Sequence, residues 1–349
     1  MMDPQIFFLL LQDGLSNGAI YVLMGIGLVL IFTVTRVLFL SFGDLISFSA
    51  LTLAFLERNM LPGTVWLLMG AAVLAFAMEC WRLLRTGKAH QLPGAGLVYL
   101  GLPAVPIVAA LLLAGSDLPR WAEIALTIAL VAPLGAILYR IVFQPIADKP
   151  ILILLMAGVA LHFVLVGLAL IFFGAEGYRT AAFLRGLVPG TSVSWTAAIV
   201  ILTALLTCAA LFAFFRWSIL GKALHATAHN RLGAKLVGIK TDRTSALAFA
   251  LASVVAAITG IVLGPMMTVY YDTAFLVGMK GFVGAVLGGF VSYPLAAAGA
   301  LCVGILESFV AFQTSAFKDT IVFFAVIPLL LLRAVFKSKG NRFEEDEHS

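Results

Sequence analysis

The stretch LHATAHNRLGAKLVGIKTDR, residues 224–243, lies between two apolar runs, 191–215 and 244–270, that are each long enough to cross a bilayer. Five of its twenty residues are Lys, Arg or Asp, two more are His, and no apolar run within it exceeds two residues. A basic segment between membrane-length runs is typical of a cytoplasmic loop. The rest of the sequence shows whether these runs belong to a soluble core or to a membrane protein.

The composition excludes a soluble protein. Of the 349 residues, 62% are hydrophobic and 11% are charged, and the mean hydropathy is +1.10. Soluble domains carry about 25% charged residues, and a soluble chain this apolar would lack polar cover for its surface. We therefore predict an all-α polytopic membrane protein with one transmembrane domain over residues 1–349. The net charge of +5 indicates basic cytoplasmic loops rather than a nucleic-acid partner.

Apolar runs divide the chain into about eleven candidate spans. Two of them, 39–56 and 274–290, are short for a hydrocarbon core of about 30 Å and rich in Gly or Ser. We expect these two to be short or broken, which is tolerated where protein shields the backbone; whether 274–290 crosses or is re-entrant stays open. The predicted spans are 16–36, 39–56, 62–80, 95–115, 121–143, 150–174, 191–215, 244–270, 274–290, 294–313 and 317–336.

The distribution of basic residues favours an N-terminus outside and a C-terminus in the cytoplasm. With eleven crossings, this orientation places 16 of the 22 Lys and Arg on the cytoplasmic side, which is the asymmetry expected of a membrane protein. The segment 337–349 is then a short cytoplasmic tail. The six basic residues elsewhere are Arg58, Arg120, Arg179, Arg185, Lys280 and Lys318.

The sequence contains no motif for nucleotide binding, hydrolysis or metal binding. The Gly-Lys pairs in TGKAH (86–90) and LGKAL (220–224) lack the spaced Gly before them and the Ser or Thr after them that a phosphate-binding loop needs. HExxH, CxxC and GxSxG are absent as well. His225 and His229 are one helical turn apart, but the nearest carboxylate in sequence is Asp242, so we expect two solvated histidines. We therefore expect no enzyme activity, cofactor or metal in this chain by itself.

Four ionisable side chains fall inside predicted spans, where charge is expensive and usually faces the bundle interior. One interpretation is structural: Asp44, Lys280 and Glu307 satisfy helix ends or pair with one another, and His162 bonds a neighbouring helix. The other interpretation is functional: these side chains line a polar path, or hold the two short segments in register.

The basic loop, residues 216–243, is long for a connection between spans and contains no Pro. Its sequence predicts one or two short helices, with Gly233 and Gly238 as stop or turn positions. Its periodicity leaves two possibilities open, a docking element on the cytoplasmic face and an ordinary solvated loop. A moderately apolar stripe recurs every four residues, at Leu224, Ala228, Leu232 and Leu236.

The loop resembles that of a known family, the inner-membrane permease subunits of branched-chain amino acid ABC importers. GKALHATAHNRLGAKLVGIKTDR (221–243) is similar to the family pattern Gly-(Arg/Lys)-Ala-x-Arg-Ala-x-Ala, an acidic pair, and Ala-x-x-x-Gly-Ile-(Asn/Asp). In that family the loop couples the permease to its ATPase. The resemblance implies the same role for Gly221, Lys222, Ala226, Ala228, His229, Asn230, Arg231, Ala234, Gly238 and Ile239, although His229 and Asn230 replace the acidic pair.

The resemblance covers most of the chain outside residues 57–120. NGAIYVLMGIGLVLIF (17–32) and VLFLSFGDLISFSAL (37–51) look like the family's first two spans, and GMKGFVGAVLGGFVSYPLAAAGALCVGILESF (278–309) is the closest match. Phe39 and Phe42 replace an Asn and a His of the family, which makes a path there more apolar and weakly favours a less polar or aromatic substrate. Residues 62–115 look like an insertion of two spans, which preserves the orientation of everything after it.

The resemblance implies the fold of this permease type and transport of branched-chain amino acids or related small organic substrates across a bacterial inner membrane. The implied partners are two cytoplasmic ABC ATPase subunits, a second homologous permease or a second copy of this chain, a periplasmic substrate-binding protein and membrane lipid. The residues expected to line the path are Gly43, Asp44, Met279, Lys280, Gly284 and Glu307.

An ion-coupled secondary transporter that works alone is the alternative function, with Asp44, Lys280 and Glu307 as its coupling charges. A membrane-embedded enzyme is disfavoured by the missing catalytic motifs, and a structural assembly subunit stays possible. Co-purification with an ATPase would distinguish the importer subunit from all of these.

Overall fold

The structure is a computed structural model that describes residues 3–87, 89–113, 115–189, 193–289, 292–314, 317–324 and 328. Apolar runs between Gly, Pro and polar punctuation form helices, as expected of backbone that must satisfy its hydrogen bonds internally. The helices are α1 (Pro4–Thr35), α2 (Phe42–Leu56), α3 (Thr64–Arg85), α4 (Ala89–Leu113), α5 (Arg120–Ile146), α6 (Ile151–Phe173), α7 (Trp195–Trp217), α8 (Ile219–His229), α9 (Arg231–Leu236), α10 (Thr241–Leu263), α11 (Thr273–Leu287) and α12 (Tyr293–Gln313).

The helices confirm the predicted membrane architecture. Among the described residues, eight helices are long and apolar enough to cross a membrane, and α2 and α11 are shorter apolar helices. Each of the first ten predicted spans overlaps one of these helices. The eleventh, 317–336, is described only over 317–324 and at 328, while Lys88 and the tail 337–349 lie outside the described residues.

Helix α1 begins well before the predicted start at residue 16. The Asp3 carboxylate caps it by accepting a hydrogen bond from the Gln5 amide at 3.1 Å, and Pro4 occupies the first turn, where its fixed φ suits a helix start. The sequence interpretation placed Asp13 before the first span because a charge interrupts the apolar run. The helix instead continues through Asp13, which stays exposed.

Helix α1 lies at the centre of the bundle and is largely buried. Its close antiparallel contact with α12 depends on small residues, which let two backbones approach. A Cβ added to Gly304 would overlap the backbone N and Cα of Gly18, and a Cβ added to Gly14 would lie 2.7 Å from the Cα of Ile305. This contact holds α12 in place beside the middle of α1.

We expect Gly304→Leu to prevent α1 and α12 from packing and to lower the melting temperature of the purified protein. Overpacking a tight interior contact typically costs about 1–3 kcal/mol, and here the obstacle is backbone, which cannot move aside like a side chain. Gly167→Leu in α6 is the matched control, since no atom of the described residues lies within 4 Å of a Cβ at that position. Equal melting temperatures of the two variants in detergent would contradict the α1–α12 contact.

The two short helices meet at their N-terminal turns inside the bundle. Helices α2 and α11 contain 15 residues each, or about 22 Å at 1.5 Å per residue, so the prediction that both are short is confirmed, and each is continuous between its printed bounds. A Cβ added to Gly43 would lie 2.5 Å from the Ala274 carbonyl oxygen, and the Ser47 hydroxyl accepts a hydrogen bond from the Ala274 amide at 3.2 Å. The two short helices therefore support one another inside the bundle.

The basic loop and the connections on the other side of the bundle lie at opposite ends. Helices α7 and α10, with 23 residues each, flank the basic loop. We call the end of the bundle that carries this loop the loop end. The other end, which we call the far end, carries residues 174–189 and 264–272. Tyr178 and Val269 form an antiparallel bridge there, with amide-to-carbonyl distances of 2.9 and 2.8 Å.

Helices α3 and α4 form a peripheral pair that packs against α5. Most of their surface is exposed within the chain, as expected of helices that face lipid. They correspond to the segment 62–115, whose status as an insertion stays a prediction.

Candidate functional site

A buried ion pair joins α11 and α12. The Lys280 ammonium lies 2.5 Å from Glu307 Oε1 and 2.8 Å from Asp319 Oδ1, and the Tyr21 hydroxyl of α1 donates to Glu307 Oε2 at 2.5 Å. Lys280 and Glu307 are 7% and 5% exposed. Charges at such burial need both a partner and further hydrogen bonds, and this cluster provides them from three helices.

Glu307 of this pair also lines a cavity of about 480 Å³ at the far end. The cavity size suits a small molecule. Its wall contains two carboxylates and two cationic groups beside apolar surface, so it can receive a ligand that carries charge of either sign. The charged lining residues are Asp13, Arg179, Glu307 and Lys318, and the apolar ones include Leu10, Met266, Ala311 and Phe312.

Sequence reasoning missed Asp13 and Arg179 as lining residues. Asp13 and Asn17 are one helical turn apart, a spacing that would have placed both on one face if the first helix had been extended. Arg179 lies in a connection and donates to the carbonyls of Pro265 and Met266 at 2.9 and 3.3 Å. No sequence signal brings residue 179 to residue 265, because only the folded far end does so.

A second buried polar cluster lies at the start of α2. His162 Nδ1 of α6 is 2.9 Å from both carboxylate oxygens of Asp44, and the His162 ring stacks on Phe275 of α11 at 4.0 Å between centroids. Asp44 sits in the first turn of α2, where the helix dipole favours a negative charge. The structure therefore agrees with the structural interpretation: Lys280 pairs with Glu307, Asp44 lies at a helix start, and His162 bonds a neighbouring helix with Asp44 as its partner.

Gly43 and Met279 line a small apolar space between the two short helices. Its volume is about 10 Å³, which is at the lower limit for a single water molecule. The rings of Phe42, Phe275 and Phe282 form much of its wall. We call this space the aromatic constriction.

The two phenylalanines that replace polar family residues have different surroundings. Phe42 borders the aromatic constriction. Phe39 packs in a buried aromatic cluster, with ring centroids 5.0 Å from Phe249 and 5.8 Å from Phe143. Of the two, only Phe42 is therefore placed to make a path between the short helices more apolar.

The six residues predicted to line a path do not form one continuous surface in this conformation. Gly43 and Met279 lie at the aromatic constriction and Glu307 at the far-end cavity. Lys280 and Asp44 are engaged in the two buried pairs. Gly284 packs against α12, where an added Cβ would lie 2.7 Å from the Cα of Ala300, so it determines helix contact and faces no open space.

The first half of the basic loop is tied to the ends of two membrane helices. Helix α8 starts at the Ser218 cap, whose hydroxyl accepts from the Gly221 amide at 2.8 Å. Leu224 is fully buried between Val34 of α1 and Ala248 of α10. The hydroxyls of Thr227 and Thr244 are 3.1 Å apart and fix α8 to the start of α10.

The second half of the loop exposes apolar side chains. Asn230 separates α8 from α9 and caps α9 by accepting from the Gly233 amide at 2.8 Å. Gly233 lies within α9, so its predicted role as a stop or turn was wrong; Gly238, with φ 87°, follows α9 as a left-handed turn residue. Leu232, Leu236 and Val237 are 71%, 81% and 77% exposed. We call these three residues the α9 apolar patch.

The ten residues matched to the coupling motif divide into two groups. Gly221 and Ala234 are buried and hold helices together, while the other eight are exposed or partly exposed. Arg231 lies 4.0 Å from Asp242 at the start of α10, and the rings of His225 and His229 stack at 6.4 Å. The family motif gave no sign of the α9 apolar patch. In the sequence, Leu232 and Leu236 continue the apolar stripe that begins at Leu224, but in the structure the chain breaks at Asn230, so the stripe is divided between two helices.

The chain matches the model of a known protein family over residues 94–334. That family is described as the branched-chain amino acid transport system / permease component. The matched range includes α5 to α12. It contains Lys280, Glu307 and His162 of the two buried pairs, whereas Asp44 and Tyr21 lie before it.

Curated relatives are similar over most of their own length. The high-affinity branched-chain amino acid transport system permease protein LivH of Escherichia coli strain K12 is 32% identical over 239 residues, which cover 65% of this chain and 77% of the relative. LivH of Salmonella typhimurium is 31% identical over the same extent. The permease protein BraD of Pseudomonas aeruginosa, named for the same transport system, is 27% identical over 244 residues, or 67% of this chain and 80% of the relative. No solved structure matches the chain.

Proposed function

Since this chain belongs to the family of branched-chain amino acid transport system permeases, we propose that it is the membrane-spanning subunit of an ATP-driven importer for branched-chain amino acids or related small organic molecules. The names of its relatives support the substrate class. The absence of a nucleotide-binding motif from the sequence supports assigning ATP hydrolysis to separate ABC subunits.

The observation that carries this proposal is the construction of the basic loop. Its α9 apolar patch is exposed within an otherwise polar, basic loop, and exposed apolar patches mark contacts with other proteins. Its first half is anchored to the ends of α1 and α10 through Leu224. A partner that binds the patch is thus connected to the membrane helices by a short, packed helix, as a coupling element requires.

The contacts also suggest how movement of the loop reaches the middle of the membrane. Helix α10 holds α2, since the Ser49 hydroxyl donates to the Ala257 carbonyl at 2.7 Å. Helix α1 packs on α11, where a Cβ on Gly281 would overlap the Met24 side chain. A shift of α1 and α10 therefore moves both short helices that enclose the aromatic constriction. ATP can drive this change only by favouring one of the two states.

The far-end cavity is the proposed entry for substrate. Asp13 and Glu307 offer negative charge to an ammonium group, Arg179 and Lys318 offer positive charge to a carboxylate, and Phe312 belongs to the apolar wall. An amino acid with an apolar side chain presents all three features. We propose that the aromatic constriction opens toward the loop end once the far end has closed.

The orientation and assembly follow from the same reasoning. The loop end faces the cytoplasm in a bacterial inner membrane, and the far end receives substrate from a periplasmic binding protein. Two ATPase subunits and a second permease, homologous or identical, complete the importer. The N-terminus then lies outside, because α1 starts at the far end.

Reconstitution tests this proposal against the ion-coupled alternative. The chain is placed in proteoliposomes alone, with a proton or sodium gradient, and in a second sample with its co-purified partners and ATP on the loop side. We expect uptake of radiolabelled leucine only in the second sample. Gradient-driven uptake by the chain alone would reject the importer and support the secondary transporter.

A further inference from the structure

A large basic cavity opens at the loop end between the α3–α4 turn, the end of α5 and the basic loop. Its volume is about 1190 Å³, and a second cavity of about 400 Å³ adjoins it through shared lining residues. Positive charge exceeds negative charge in the wall of both. The basic lining residues are Arg82, His90, Arg140, Arg231, Lys235, Lys240 and Arg243, and the acidic ones are Glu79, Asp148 and Asp242.

Two guanidinium groups, one buried and one partly exposed, contribute to the positive charge of this wall. The Arg140 side chain is 8% exposed, pairs with Glu79 and donates to Gln144 Oε1 at 3.2 Å. Its Nε is buried and makes no hydrogen bond within the described residues, and the same is true of Arg231 Nε. Both residues line the smaller cavity. Neither Nε atom is accessible from the cavity, so the cations that a ligand can contact in this wall are the exposed ones, above all Arg82 and Lys235.

The charge balance points the same way. Glu79 is shared by two cations, Arg140 and Arg82, the latter at 3.6 Å. Lys235 lines both cavities and is exposed. A phosphate group, with several acceptor oxygens and a negative charge, matches a wall built from guanidinium and ammonium donors.

The surroundings of the cavity favour a lipid headgroup over a free phosphate as the source of this group. Leu83, Val98 and Ala246 add apolar surface to the wall of the larger cavity. On the outside of the same helix pair, Trp81 is 62% exposed and the Arg85 guanidinium lies 4.7 Å above its ring. Trp and Arg together are typical of the membrane–water interface. The cavity thus lies at headgroup depth, beside helices that face acyl chains.

We propose that this cavity binds the headgroup of an anionic phospholipid. The phosphate contacts Arg82 and Lys235, the buried Arg140 guanidinium adds positive charge to the wall, and the acyl chains follow the exposed apolar face of α3 and α4. Basic pockets between membrane helices bind lipid headgroups in this way. The lipid bridges the peripheral α3–α4 pair to the basic loop, since residues of both line the cavity.

The test measures lipid retained by the intact chain. Wild-type protein and Arg82→Gln/Lys235→Gln are purified in mild detergent with an equal mixture of phosphatidylglycerol and phosphatidylcholine, and bound lipid is quantified by native mass spectrometry. Both substituted side chains are exposed, so the variant should fold. We expect phosphatidylglycerol affinity to fall about thirtyfold, which corresponds to about 1 kcal/mol for each basic residue removed.

Two further arms separate the possible outcomes. Arg216→Gln/Lys149→Gln removes the same charge from exposed sites that do not line either cavity, and it should retain phosphatidylglycerol like the wild type. Inorganic phosphate is added in the third arm. Equal retention by the cavity variant, or equal binding of phosphatidylcholine, would overturn the proposal. Displacement of phosphatidylglycerol by millimolar phosphate would show that a free phosphate, and not a lipid, is the ligand.

Discussion

Replacing Lys280 with Met is expected to abolish transport and to lower the free energy of unfolding by about 3–5 kcal/mol, the usual effect of breaking a buried ion pair. The change leaves the Glu307 carboxylate 5% exposed and without the ammonium that lies 2.5 Å from it. The Tyr21 hydroxyl and the Lys318 ammonium, which is 43% exposed and 3.9 Å from Glu307 Oε1, do not compensate a charge at this burial. Substrate uptake in proteoliposomes and the melting temperature in detergent measure the two effects.

Lys318→Met is the matched control for this prediction. Lys318 also approaches Glu307, at 3.9 Å, but its side chain is 43% exposed. Ion pairs of this kind contribute about 0–1 kcal/mol. We therefore expect a melting temperature close to that of the wild type, with a smaller effect on uptake.

A double variant separates a structural role of the pair from a role in the path. Lys280→Met/Glu307→Leu removes both charges, and apolar replacement of a whole buried pair is often neutral for stability. We expect this protein to fold and to remain inactive, because Glu307 lines the proposed substrate cavity. Normal uptake by the double variant would mean that the pair only holds α11 to α12. Lys280 and Glu307 would then not line the transport path.

The sequence predicted those features of the fold that membrane solvation dictates. A span must be apolar over a fixed length, so composition and run length were sufficient to locate α2 to α7 and α10 to α12 to within several residues. The two short helices were recognisable for the same reason. The start of α1 was misplaced because Asp13 interrupts the apolar run, and a charge facing a cavity is not distinguished in sequence from a charge facing water.

The geometry of the site was less accessible to sequence reasoning. The four ionisable residues in spans were found because their type is rare there, but their partners depend on which helices adjoin. Asp44 bonds His162, which is 118 residues away, and the spacing of the two carries no information about that contact. The α9 apolar patch was hidden because periodicity cannot show that the chain turns at Asn230, so that Leu224 is buried while Leu236 is exposed.

We expect Leu236→Glu/Val237→Glu to abolish co-purification of ATPase subunits with the tagged chain. The two side chains are 81% and 77% exposed, so charge at these positions should leave the fold intact and remove the apolar contact from the proposed interface. Losing a central interface residue typically costs about 2 kcal/mol or more, and a buried carboxylate adds to this. We therefore expect the affinity to fall by about a hundredfold or more, as measured by a mild-detergent pull-down with mass spectrometry.

Leu184→Glu/Leu187→Glu provides the matched control for the loop variant. These leucines are 51% and 60% exposed and lie at the far end, so the same chemical change is made away from the proposed ATPase contact. The control should retain its ATPase partners. Both variants should elute and melt like the wild type, because neither pair of side chains is buried within the chain. If the loop variant keeps its ATPase, the α9 apolar patch is not the coupling contact; if the wild-type chain carries no ATPase at all, the importer itself is contradicted.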